Sequence, residues 1–555
     1  MVKTDKKLPV GVDSFEKLVR DGYYYLDKTG FIRQLADWHG EVNLFTRPRR
    51  FGKTLNMSML KAFFEIGTDK SLFDGLEISR ERGICAAFQG QYPVLFLSLK
   101  EMEGKTFEDA IAVLAQLIST ECRRLSFLLE STKINRFDKE YLEQLIKKEL
   151  NIVDMKFASA QLMRILHAHY GKQVIFLIDE YDVPLDKANS NGFYNEMVDF
   201  LRGFFGCAFK TNPDLYFAVV TGCLRISKES IFTGLNNLKV DTISDERYDE
   251  YFGFTDADVR KILEDYGLSD TYDMTREWYD GYHFGSTDVY CPWDVVSYCD
   301  DLLQKPDAKP RLYWDNTSSN ELVKRFIELA DVTTRRELED LIAGEFIEKK
   351  IVENLTYGEL EEDRDHLWSV LFLTGYLTVD KRAQGRNGLT RLVIPNREVR
   401  EIFINKIQKW FGENIIRNYQ ADIYKELWDC RAENLGQKIR NILYDTVSYH
   451  DYHENYYHAL LVGLLLNGAY LVKSNYEMGA GRSDISIEDE RERRAVIIET
   501  KRSMEYEELE KDSEEALKQI EDKGYAWPFL RKKYHVIACG IAFEGKECCV
   551  KVKQL

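Results

Sequence analysis

Two groups of charged residues, one near each end of the chain, have the types and spacings that phosphate chemistry needs. Near the C-terminus, Gly481-Arg482-Ser483-Asp484 opens an apolar run, and fifteen positions later comes Ile497-Ile498-Glu499-Thr500-Lys501. Asp484 and Glu499 offer oxygen ligands to a hard cation such as Mg²⁺. Lys501 beside them can orient an attacking water or neutralise a scissile phosphate. On a strand, alternation sends Glu499 and Lys501 to one face, as a shared centre requires. Glu454, at the head of an amphipathic stretch over 456–466, can complete the acidic cluster or reach a second ion. His458 lies one helical turn beyond Glu454, where a core or capping role competes with catalysis. A salt-bridged sheet surface is the alternative for Asp484, Glu499 and Lys501, and turn capping the alternative for Arg482.

The second group is Arg47-Pro48-Arg49-Arg50-Phe51-Gly52-Lys53-Thr54. It follows the phosphate-loop pattern GxxxxGK[ST], with arginine in place of the first glycine. Gly52 lets backbone amides approach phosphate, Lys53 reaches the β and γ oxygens, and Thr54 can ligate Mg²⁺. The helix behind it aims its N-terminal amides at the anion, and Arg49 and Arg50 add charge to the cradle. Further on, an apolar run ends in Ile178-Asp179-Glu180. There Asp179 is placed to hold Mg²⁺ through water and Glu180 to orient the attacking water, with helix capping the alternative for Glu180. Thr221-Gly222-Cys223-Leu224-Arg225 follows the next apolar run. Arg225 is the candidate contact to the γ-phosphate, against a plain surface arginine.

These residues need a scaffold. The first 240 positions alternate short apolar strands, at 42–46, 92–99, 174–179 and 215–221, with longer helical patterns, as an α/β parallel sheet does. Such near-continuous apolar strands are buried on both faces. Residues 241–415 read as mainly helical and aromatic-rich, with Trp278-Tyr279-Asp280-Gly281-Tyr282 and Pro292-Trp293 taken as core packing. From 416 the pattern is helix, strands, a charged helix over 505–522 and a strand over 535–542. The chain therefore divides into 1–240, 241–415 and 416–555.

Composition bounds the rest. At 555 residues the chain exceeds one core. Hydrophobic residues at 44% and charged residues at 30% describe an ordinary globular protein. The longest apolar stretch, around 460–466, is too short to span a membrane, and no signal peptide is visible. Ten cysteines without a CxxC pair predict a reduced, cytoplasmic protein. The net charge of −17 argues against a nucleic-acid coat protein, since phosphate contacts need Lys and Arg; a local basic groove remains compatible with it.

The chain resembles the bacterial predicted AAA-like ATPases. The resemblance rests on Leu8-Pro9-Val10-Gly11-Val12-Asp13-Ser14-Phe15, Tyr24-Tyr25-Leu26-Asp27-Lys28-Thr29, the arginine-rich loop 47–54, Asp179-Glu180-Tyr181-Asp182 and Ile226-Ser227-Lys228-Glu229-Ser230-Ile231-Phe232. It also covers Trp278-Tyr279-Asp280-Gly281-Tyr282 and Ile394-Pro395-Asn396. It implies that Arg47 is a family trait, and that the chain ends in a PD-(D/E)XK nuclease-like domain. In that domain Glu454, Asp484, Glu499 and Lys501 are the acidic-basic set and Gln519 a supporting polar residue. The implied cofactors are ATP and Mg²⁺, and the implied substrate is nucleic acid, DNA before RNA, with no membrane partner. AAA-type ATPases often form rings, so a homo-oligomer is one expected state and a monomeric resting form the other. The resulting expectation is an ATP-regulated nuclease. Its alternative is a nucleotide-switched sensor or scaffold, similar to STAND proteins, whose nuclease-like domain binds without cutting.

Overall fold

The computed structural model describes residues 4–224, 231–232, 234–314, 332–353, 355, 364–381, 388–446, 454–465, 470–478 and 481–555. The chain divides into two compact units, Met1–Tyr313 with Glu348–Arg397, and Trp314–Ile347 with Glu398–Leu555.

The first unit is built on five parallel strands: β1 (Val42–Thr46), β2 (Val94–Ser98), β3 (Val174–Asp179), β4 (Leu215–Gly222) and β5 (Leu238–Asp241). Their order is β2-β3-β4-β1-β5. Every residue of β1 and β3 is buried, which is why these strands read as unbroken apolar runs. The fifth strand went unread in the sequence. Leu-Lys-Val-Asp is short and mostly half-buried at the sheet edge, so it lacks that signature. Helix α1 (Lys53–Phe64) follows β1, and α2 (Val183–Asn191) follows β3.

Beyond the sheet, a hairpin of β6 (Tyr282–Phe284) and β7 (Thr287–Val289) leads to α3 (Pro292–Gln304). A small sheet contains β8 (Ile347–Lys349), β9 (Thr378–Val379) and β10 (Thr390–Val393). The helical reading of 241–415 overlooked these strands, because elements of two to four residues have no period to detect. The aromatics read as core packing are largely that: Tyr279 and Tyr298 join Tyr24, Tyr266 and Leu302 in one apolar cluster.

The second unit carries a mixed sheet of β11 (Leu471–Met478), β12 (Gly481–Asp489), β13 (Arg494–Arg502), β14 (His535–Glu544) and β15 (Glu547–Gln554), in sequential order. Only β13 and β14 are parallel, and the crossover between them is α5 (Leu509–Asp522) followed by the short α6 (Trp527–Arg531). Helix α4 (Glu454–Leu465) precedes the sheet. The charged helix begins at Leu509 rather than 505, because Glu505 is extended and 506–508 form a single 3-10 turn. The last strand but one continues two residues past 542, to Glu544.

Candidate active sites

In the first unit, β1 and β3 flank β4, so the loops after β1 and β3 and the end of β4 meet at one edge of the sheet. Ligands of open parallel sheets bind at that carboxyl edge. Gly52 caps α1 in the left-handed region, φ 79°, with no side-chain cap, leaving the helix N-terminal amides available. The Lys53 ammonium is folded into the loop, donating to the carbonyls of Arg47 (3.0 Å) and Pro48 (2.9 Å) and lying 3.5 Å from Cys223 Sγ. The Thr54 hydroxyl donates to Asp179 Oδ2 at 2.8 Å, and Thr221 donates to Asp179 Oδ1 at 2.5 Å. Thr54 and Asp179, the two residues read as holding Mg²⁺, are thus in direct contact. Burial raises the Asp179 carboxyl above the usual carboxylate range, against the pull of Thr221.

Glu180 lies just beyond β3 with φ 54°, and its N–H approaches Thr221 Oγ1 at 3.4 Å. A left-handed glutamate costs of order 1–3 kcal/mol and belongs to the class of strained residues that collect at functional sites. Asp182 is the residue that the sequence did not single out. Its Oδ2 accepts from the N–H groups of Cys223 (2.7 Å) and Leu224 (3.0 Å), while the Tyr181 hydroxyl donates to the Leu224 carbonyl at 2.7 Å. Asp179 and Glu180 therefore meet Thr221 near the end of β4, and Tyr181 and Asp182 hold the first residues of the turn after it. The sequence signal was the second aspartate, three positions after the first. Arg225 itself lies outside the described residues.

The arginines of the loop take separate roles. Arg47 is fully buried. Its Nη1 donates to the carbonyls of Thr46 and Asp241, both at 2.9 Å, and its guanidinium faces the Phe252 and Phe284 rings at 5.0 and 5.8 Å. Burial pulls its pKa down to about 10, with Asp241 opposing. Where most phosphate loops have glycine, this side chain fastens the loop base to β5. Arg49 lies 3.9 Å from Asp186 on α2; burial works against its charge, but Cys223, Asp182 and Asp186 outweigh it and raise its pKa. Arg50, with φ 70°, stacks over the Trp293 ring at 4.2 Å.

In the second unit, the register β12–β13 pairs Ile485 with Ile498 and stops there. Past that point the strands meet through side chains. The Asp484 N–H donates to Glu499 Oε2 at 3.3 Å, and Asp484 Oδ2 accepts from Thr500 N (2.8 Å) and Thr500 Oγ1 (2.7 Å). Gln519, on α5, donates to Glu499 Oε1. Lys501 pairs with Glu515 at 3.1 Å, one helical turn before Gln519. Tyr525, buried, hydrogen-bonds Gln519; burial and then the Glu499 charge raise its pKa. From α4, the His458 Nε2 lies 3.0 Å from the Asp484 carbonyl and 3.2 Å from Ser474 Oγ. His458 thus braces the strand that carries Asp484.

Asp484 and Glu499 therefore lie beside one another on neighbouring strands, with Gln519 on Glu499, while Lys501, two positions along β13, meets Glu515 of the same helix as Gln519. Glu454 begins α4, but its side chain, like that of Arg482, lies outside the described part. Among the described residues no three metal-ligating side chains gather in one place. The two carboxylates fit a hard cation of the Mg²⁺ kind, which keeps several waters and needs only one or two acidic side chains. Thr500, Glu515 and Tyr525 were not anticipated. Thr500 is a strand residue whose backbone serves the site, and the other two become neighbours of Glu499 and Lys501 only through the crossover.

Comparison with known proteins places both sites inside recognised domains. Residues 9–232 match the family model described as "Predicted AAA-ATPase", and residues 452–553 match the PD-(D/E)XK nuclease superfamily. A protein of Azotobacter chroococcum mcd 1, described as "Uncharacterized protein in vnfD 5'region", is 30% identical over 404 residues, covering 71% of this chain and 68% of the relative. No helix among the described residues is long and apolar enough to cross a membrane. The chain belongs to the predicted AAA-ATPase family and carries a PD-(D/E)XK nuclease superfamily domain at its C-terminal end.

Proposed function

We propose that the protein is an ATP-binding ATPase joined to a Mg²⁺-dependent nuclease, with nucleotide binding regulating hydrolysis of nucleic acid phosphodiesters. The observation that supports this most is the contact of Asp484 with Glu499 across β12 and β13, ordered by Thr500 and Gln519, with Lys501 two positions beyond Glu499 on the same strand face. A protein-binding domain has no need of this set.

In this reading Asp484 and Glu499 hold the cation, with Glu454 as a third acid. When bound, Mg²⁺ polarises the phosphodiester and lowers the pKa of a ligated water. Lys501 neutralises charge on the phosphate, and to do so its ammonium leaves Glu515. Gln519 fixes the Glu499 carboxylate, and His458 fixes the Asp484 backbone. In the first unit Lys53 contacts the ATP phosphates, and Thr54 and Asp179 hold the second Mg²⁺. Glu180 orients water, Arg49 and Arg50 add positive charge, and Arg225 contacts the γ-phosphate.

The second reading is a nucleotide-switched binding module. The observation in its favour is that Lys501 is engaged by Glu515 and Glu499 by Gln519, so the charges are satisfied without substrate. Cleavage of plasmid and single-stranded DNA and RNA in Mg²⁺, with Glu499→Ala as control, separates the two. Loss of cleavage in the control supports the nuclease; no cleavage by wild type on any substrate supports the module.

A further inference from the structure

We infer that a basic, aromatic strip formed by α6 and the β12–β13 turn is the surface on which single-stranded nucleic acid lies as it enters the Glu499 site. The inference rests on the nuclease-domain reading for its substrate class, and on the following geometry for its place.

Trp527 is 63% exposed and Leu530 41%. Arg531 lies beside the Trp527 ring, 5.6 Å from its centre, with Lys532 and Lys533 following, all exposed. The β12–β13 turn adds Arg491 and Arg493, also exposed. The two segments are joined: the His535 N–H donates to the Arg493 carbonyl at 2.9 Å, and Arg494 is the strand partner of His535. Five cations thus stand against two nearby exposed acids, Glu490 and Glu492, in a chain of net charge −17. Among the described residues none of the five is ion-paired. The contrast with α5 is sharp, since Lys501, Lys551 and Lys553 each meet a glutamate of that helix. Unpaired cations are the ones that can release counterions from a polyanion.

The strip lies on the correct side of the sheet. Phe529 of α6 is buried with Ala495, Ile497, Val536 and Ala538. By alternation, Ala495 and Ile497 share a face of β13 with Glu499 and Lys501. Five residue steps along β13 lead from Arg494 to Glu499, about 17 Å at 3.3 Å per step. An indole open to solvent stacks an unpaired base whatever its identity, which selects a single-stranded segment over a closed duplex. An anionic membrane is the competing partner for tryptophan beside basic residues. A helix of five residues with two exposed apolar side chains offers too little surface for insertion.

The test uses the full chain in a Glu499→Ala background, so that binding is read without cutting. Fluorescence anisotropy with a short labelled oligothymidylate should show affinity falling at least tenfold in Arg531→Glu/Lys532→Glu/Lys533→Glu. The slope of log affinity against log salt should shrink by about two, at about 0.7 per single-strand phosphate contact. Trp527→Ala should weaken binding while leaving that slope unchanged, and an oligouridylate in parallel tells RNA from DNA. Arg491→Glu/Arg493→Glu is the second charge variant, and melting temperatures within about 2 °C of the parent confirm that each variant folds. Unchanged oligonucleotide affinity in both charge variants overturns the proposal, even if wild type cleaves nucleic acid. Strip-dependent capture by phosphatidylglycerol vesicles without an effect on oligonucleotide affinity also overturns it. Strip-dependent oligonucleotide binding in a protein that never cleaves leaves the strip standing and removes the nuclease.

Discussion

Carboxylates of the candidate centres are held by polar neighbours that do no chemistry of their own. Glu499 is fixed by Gln519, Asp484 by Thr500, and the turn after β4 by Asp182. Residues that orient a metal ligand typically contribute 10–100-fold to affinity or activity. Gln519→Ala should therefore lower cleavage by about 10–100-fold and leave ATP turnover unchanged; equal cleavage by variant and wild type would show that Glu499 needs no such support. Asp182 gives a prediction with a sign. Burial raises its carboxyl above the ordinary value, against Leu224 N–H, Cys223 N–H and Lys53. A group whose pKa is higher folded than unfolded contributes stability that is present below the unfolded value, about 4, and lost as pH rises through the folded one. Asp182→Asn, neutral throughout, should match wild type in melting temperature near that lower pH and exceed it at neutral pH. A variant that melts below wild type only at neutral pH would contradict this. The motif residues were legible in the sequence because charge at fixed spacing is written there. Their supports were legible only in part. Gln519 came from family likeness, and Asp182 and Thr500 stood inside quoted motifs, but their roles depend on backbone N–H groups and strand neighbours that no residue pattern records.

Among the elements, helix α5 does most to shape the nuclease-like centre, since it carries both Gln519 and Glu515. Its seat on the sheet is set by Gly540, the β14 partner of Glu499. A Cβ added at Gly540 would lie 2.2 Å from the Ser513 carbonyl oxygen and 2.6 Å from the Leu517 nitrogen, both backbone atoms that cannot turn aside. Gly540→Ala should push α5 off the sheet at a cost of about 1–3 kcal/mol, and cleavage should fall while ATP binding persists. Retention of full cleavage and melting temperature would mean that the helix is free to shift. The elements themselves were read unevenly. Strands buried on both faces declared themselves, as in β1 and β3. The edge strand β5, the β6–β7 hairpin and the strands β8–β10 did not, since their pairing depends on partners distant in sequence rather than on a local period.

At the scale of the whole molecule, two compact units each contain one of the two candidate centres. If nucleotide governs cleavage, the coupling is a free energy between distinct sites, and it must disappear when either site is disabled. Lys53→Ala should weaken ATP binding and remove the effect of ATP on cleavage, while leaving the chemistry of the Glu499 site in place. Normal ATP binding in that variant would remove the phosphate-loop assignment. The presence of an AAA-ATPase-like domain and a PD-(D/E)XK domain was legible from the motifs at either end. The division into units was not, because it joins residues 314–347 to the C-terminal part of the chain, and no local composition marks such a join. The most direct measurement is cleavage of labelled single-stranded and plasmid substrates in Mg²⁺, with and without ATP, by wild type, Glu499→Ala and Lys53→Ala. The predicted result is cleavage by wild type that responds to ATP, none by Glu499→Ala, and cleavage indifferent to ATP by Lys53→Ala. Equal cleavage by Glu499→Ala and wild type would contradict the assignment of the nuclease centre outright.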